Sequence, residues 1–174
     1  MSDVPKSDRY AFLGREFLTW LWYAAESGNG MVAIEADVEV RVDFARRLVL
    51  ETGGGVREGS TVQADAPSLA EESRTALRTG KKVAAARLVL DIDGRTFEVG
   101  LNADTFALSG VKVPSVLADG DGDRIDERLG LLDEVETLLD GLYIRFIRLR
   151  VSDQWPESRT AIRDWILASQ GDQG

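Results

Sequence analysis

Apolar positions along this chain follow two rhythms, and the switches between them mark out its elements. Between residues 9 and 26, Leu13, Phe17, Trp20, Leu21 and Ala24 recur at the spacing of one helical face. Phe12, Trp22 and Tyr23 widen that stripe around much of the circumference. The pattern predicts an aromatic N-terminal helix, capped by Asp8 and stopped at Ser27-Gly28-Asn29-Gly30. Then the period changes. Val38, Val40 and Val42 alternate with Glu39, Arg41 and Asp43, which is the rhythm of a half-buried strand. Residues 47–52 read as its hairpin partner, the Gly53–Gly55 run with Gly59 as loop, and residues 61–64 as a short strand.

Residues 68–79 read as a second helix. Ser68 followed by Glu71 is a capping-box spacing, and Gly80 is the stop. A long strand over 81–91, a turn at Asp93-Gly94 and a returning strand over 95–101 form the clearest hairpin of the chain. Past the Asp119–Asp123 linker, Ile125, Leu129, Leu132, Val135, Leu139, Leu142, Phe146 and Leu149 repeat at spacings of three and four. They predict one long helix over 124–151 with a continuous apolar stripe, with Asp123 as its cap. Pro156 suits the first turn of a last helix over 157–168. The expected fold is α+β: an antiparallel sheet of hairpins packed with an N-terminal aromatic helix and two C-terminal helices, one long. Residues 1–8 read as a flexible tail and 9–170 as a single domain.

Composition narrows the chemistry. The 174 residues include no cysteine and no histidine. Thiolate nucleophiles, zinc ribbons, cysteine-held iron–sulfur clusters and histidine-based hydrolase triads are thereby excluded. An all-carboxylate Mg²⁺ site, as in a nuclease, is the main surviving enzyme chemistry. The expectation is a binding protein rather than an enzyme, with no cofactor. The N-terminus is polar and no apolar run is long enough for a bilayer, so a cytoplasmic chain with no membrane partner is expected.

The formal net charge is −9, which on average repels nucleic acid. It is unevenly spread. Residues 74–95 carry six basic side chains against two acidic ones, a local +4. Arg74, Arg78, Lys81 and Lys82 cluster there at one helix-to-strand junction. They are candidate contacts to a phosphate backbone, which asks only for positive charge and reach. The simpler reading pairs them with the chain's own acid. On the aromatic helix, Phe12, Trp20, Trp22 and Tyr23 are candidates for an oligomer or partner interface, against the simpler reading of core.

Other patterns carry less. The Asp119–Asp123 run opens like a calcium loop, but Arg124 stands where the bend-making glycine belongs and Gly130 where the bidentate glutamate belongs. The glycines around Gly54 and the Gly80-Lys81-Lys82 step lack the surroundings of a phosphate-binding loop. The carboxylate groups Glu71-Glu72, Asp91/Asp93 and Asp133/Glu134/Glu136 read as solvated faces, so no metal site and no catalytic residue are expected.

Several longer runs resemble a known family. They are Phe12-Leu13-Gly14-Arg15-Glu16-Phe17-Leu18-Thr19-Trp20-Leu21-Trp22, Arg47-Leu48-Val49-Leu50-Glu51 and Ala76-Leu77-Arg78-Thr79-Gly80-Lys81-Lys82-Val83. Leu108-Ser109-Gly110-Val111-Lys112-Val113-Pro114 and Leu142-Tyr143-Ile144-Arg145-Phe146 complete them. In order and spacing they resemble the C-terminal half of the recombination-associated protein RdgC family, from about residue 9 to residue 167. The resemblance implies a bacterial, nucleoid-associated protein that binds duplex DNA without sequence preference and acts in recombination or replication. It also implies a homo-oligomer, with recombination proteins as partners. Among the basic candidates only Lys81 matches the family's own Gly-Lys step. The alternative is an acidic protein-interaction or oligomerisation module that keeps the fold without the DNA.

Overall fold

The structure is a computed structural model that describes residues 11–52, 59–64 and 71–168. The expected tail and the caps at Asp8 and Ser68 lie outside these residues. The described elements follow in the order α1 (Ala11–Ser27), β1 (Met31–Glu35), β2 (Val38–Glu51), β3 (Gly59–Ala64), α2 (Glu71–Arg78), β4 (Lys82–Ile92), β5 (Arg95–Asn102), β6 (Leu108–Lys112), α3 (Asp121–Arg150) and α4 (Trp155–Leu167). The strands make one six-stranded antiparallel sheet in the order β1-β2-β4-β5-β6. Strand β3 joins β1 on the other edge of β2, pairing with its C-terminal half. The class is α+β, as the residue pattern implies.

Alternation along the central strands builds the core face. Val42, Leu90 and Phe97 form one row across β2, β4 and β5. Phe44, Leu88 and Val99 form the next, and Leu48, Ala86 and Leu101 the third. All nine are buried. Two bulges keep the rows in step. Between the Phe44–Leu88 and Leu48–Ala86 pairs, β2 carries two more residues than β4. Beyond Val49, the extra residue Ala84 in β4 resets the parity, so that Val83 lies opposite Leu50 on the core side. Helices α1, α2, α3 and α4 close this face into one apolar cluster with the sheet.

Four elements differ from the sequence reading. Residues 47–51 are not a hairpin partner of 38–42. They continue the same strand, because the bulge after Phe44 absorbs the break in pattern and each half finds its own edge partner. Strand β1, hidden in the residues after the glycine stop, supplies the first of those partners. Strand β6 is an added edge strand on β5. Helix α3 begins at Asp121, so Asp123 sits inside its first turn rather than capping it, and Gly120 takes the cap position with no side-chain bond. Asp121 and Asp123 then act through the helix dipole alone. The apolar stripe of α3 is only half used. Val135, Leu138, Leu139, Leu142 and Phe146 are buried, whereas Ile125 and Leu129 are 61% and 58% exposed.

Candidate nucleic-acid interface

Helix α2 ends in a Schellman turn. The Lys81 N–H donates to the Ala76 carbonyl and the Gly80 N–H to the Leu77 carbonyl, both at 3.0 Å. Gly80 takes φ +88° at the left-handed position that this closure needs. The chain then turns sharply into β4, which sets Lys81 and Lys82 at the corner. Helix α4 starts with Pro156 in its first turn and packs through Ile162 and Trp165. Arg159 and Arg163, one turn apart, are exposed. Lys81, Lys82, Arg159 and Arg163 all border a single groove of about 450 Å³ between α1, the α2–β4 corner and α4. Among the described residues, Glu16 is the lone carboxylate on that border.

The four basic candidates separate in space. Arg74 is turned inward. Its NH2 lies 2.8 Å from both carboxylate oxygens of Glu26, and its guanidinium stands 5.9 Å from the Trp165 ring centroid. Arg78 reaches Glu71 at 3.0 Å. For these two, the chain's own acid is the partner. Lys82 stays half exposed and touches Glu16 only at 3.6 Å. That carboxylate is held more tightly by Arg150, at 2.7 Å. Lys81 keeps its place on the groove beside Lys82.

Arg159 and Arg163 escaped the sequence reading. Neither has an ion pair among the described residues. One signal was available. Like charges four apart on a helix disfavour it by a few tenths of a kcal/mol, so such a pair invites a reason outside the helix.

The aromatic candidates part company too. Trp20 and Trp22 are 5% and 1% exposed, locked in the interior of the monomer. Trp20 packs on Phe17 and Phe146, and Trp22 on Phe44 and, edge-on, Trp165. They are core, not interface: a helix apolar on most sides is consumed here by the sheet below and by α3 and α4 beside it. Tyr23 is half buried against Trp165. Phe12 remains at the surface under the Arg150 guanidinium.

The carboxylate groups are likewise engaged or dispersed. Glu71 pairs with Arg78, Asp91 accepts from Thr96 and Glu134 pairs with Arg95 at 2.6 Å. Among the described residues no three carboxylates converge where a metal ion would sit, and no helix is long and apolar enough to cross a membrane. Comparison with protein-family models and with curated proteins finds no match to the chain.

Proposed function

We propose that this chain binds duplex DNA without sequence preference, as a nucleoid-associated protein of recombination or replication. The observation that carries the proposal is the convergence of Lys81, Lys82, Arg159 and Arg163 on one groove in a chain of net charge −9. Folding an acidic chain so that four cations from two elements share a border opposes their mutual repulsion. A polyanion relieves it. The resemblance of the sequence to the RdgC family supports the same ligand. Backbone contacts of this kind carry no sequence information.

Fluorescence anisotropy with two short duplexes of unrelated sequence tests it. Four phosphate contacts give a log–log salt slope of about −3.6, so affinity falls roughly a hundredfold between about 50 and 200 mM salt. Arg159→Glu with Arg163→Glu should abolish binding. A protein that ignores both duplexes at low salt is not a DNA-binding protein.

A second reading, an oligomerisation module, is favoured by one observation. Leu117, Ile125 and Leu129 lie exposed at the start of α3. The segment before the helix is held there by Glu127, whose carboxylate accepts the N–H groups of Leu117 and Ala118. Sedimentation velocity decides this reading: Ile125→Asp should dissociate an oligomer, and a wild-type monomer at all concentrations removes it.

A further inference from the structure

Phosphates bound at the border, as in the proposed function, would leave the floor of the groove unused. The floor is apolar: Trp20, Leu77, Ile162 and Ile166 line it, with Leu167 beside them and more than half exposed. A duplex backbone gains nothing from covering such a surface, since the burial of apolar area needs apolar groups on the other side. At about 450 Å³ the groove falls in the size range of ligand sites, about 300–1,000 Å³.

The geometry points to a peptide segment as the occupant, one that carries several carboxylates and a few large aliphatic side chains. Charge decides the acidic part, because Arg159 and Arg163, exposed and with no ion pair among the described residues, border the groove together with Lys82. The two arginines also select against a single-headed amphiphile such as a fatty acid, whose one carboxylate can satisfy Arg159 or Arg163 but not both in full. The aromatic rings decide against stacked nucleobases. Trp20 is almost wholly buried, and Trp155 already has the Phe146 ring at 5.9 Å and the Arg150 guanidinium at 5.5 Å. What the floor still offers is aliphatic surface, suited to leucine-like side chains. The site is therefore a helix-in-groove or extended-peptide dock of the kind that reads apolar anchors at the centre and charge at the rim. It stands on the groove alone, whether or not DNA also binds the border.

The test uses the full chain and three fluorescent dodecapeptides: one of aspartate and leucine, one with serine in place of leucine, and one with lysine in place of aspartate. The first should bind at least about tenfold more tightly than the other two. Arg159→Glu with Arg163→Glu, and separately Leu167→Asn, should each weaken it about tenfold, with circular dichroism showing both variants folded. Leu167→Asn keeps the charge, so duplex binding should stay within about twofold, which separates the peptide site from the DNA reading. Equal binding of the leucine and serine peptides reduces the groove to plain charge attraction and overturns the proposal. So does Leu167→Asn leaving the peptide unaffected. Oleate or a single-stranded oligonucleotide that occupies the groove in preference to the peptide also overturns it, as does a dimer that Leu167→Asn dissociates.

Discussion

Glu26 holds Arg74 symmetrically: the guanidinium NH2 lies 2.8 Å from each oxygen of the carboxylate. The same two oxygens accept the indole N–H of Trp22, at 3.0 Å, and of Trp165, at 2.8 Å. One side chain near the end of α1 thus ties α2 and α4 to it. Three donors on three elements depend on one acid, and each would be left wanting if it were removed. Glu26→Ala should destabilise the fold by about 3 kcal/mol, the low end for buried pairs because part of the carboxylate still meets water. Urea denaturation measures this, and a loss near zero would show that water replaces the carboxylate freely. Arg74→Gln, by contrast, should leave duplex binding unchanged.

Gly14 seats α1 on the turn after β5. A Cβ built there would fall 1.8 Å from the carbonyl oxygen of Ala103, a backbone atom with no rotamer to yield. Beside it, Arg15 grips Asp104 through two bonds, at 2.7 and 2.8 Å, and reaches Glu51 at 2.9 Å. Gly14→Ala must lift the helix and break that grip. The expected cost is about 3 kcal/mol, at the upper end of overpacking penalties. A Tm equal to that of the wild type would contradict the close approach.

Ser73 is fully buried in α2, and its hydroxyl finds no hydrogen-bond partner among the described residues. Such a group weakens the fold by its own desolvation. Ser73→Ala should therefore stabilise the protein by about 1 kcal/mol, a rise in Tm of about 2–4 °C for a chain of this size. A fall in Tm would mean that the hydroxyl is satisfied in solution.

Glu98 gives stability a pH dependence. A hydrogen bond from Arg87 holds its carboxyl below the ordinary value of 4.5, burial opposes the shift, and Lys112 adds to it from 3.3 Å. A depressed carboxyl pKa contributes stability that is fully present above the unfolded value and is lost as pH falls through the folded one. The stability gap between wild type and Glu98→Gln should therefore be widest above about pH 5 and shrink toward pH 3. A gap that is constant across that range would deny the pairing any role.

Much of the fold is local and therefore legible in the chain. The β4–β5 hairpin follows from alternation and from Asp93-Gly94, where both residues take positive φ, 49° and 74°, as a tight hairpin turn requires. The stops of α1 and α2 follow from Gly28 to Gly30 and from Gly80, and Pro156 marks the first turn of α4. The long β2 strand was not legible, because the bulge that lets it run on past Phe44 is defined against β4, forty residues away. Edge strand β6 was hidden for a related reason. Leu-Ser-Gly-Val-Lys shows little pattern, and its strand exists through backbone bonds to β5. The half-used stripe of α3 looked continuous because periodicity reports a face, not whether anything covers it.

The residues alone decided what chemistry this protein lacks, since no arrangement of a chain without cysteine or histidine can make a thiolate or an imidazole. They also placed a basic junction in an acidic chain. Which of those cations face outward was a question of distance between elements remote in sequence. Glu26 draws Arg74 in across forty-eight positions, while α4 brings Arg159 and Arg163 to the groove beside Lys81 and Lys82. Charge is written in the sequence, but charge pairing depends on separation in space, and only the tertiary structure sets that.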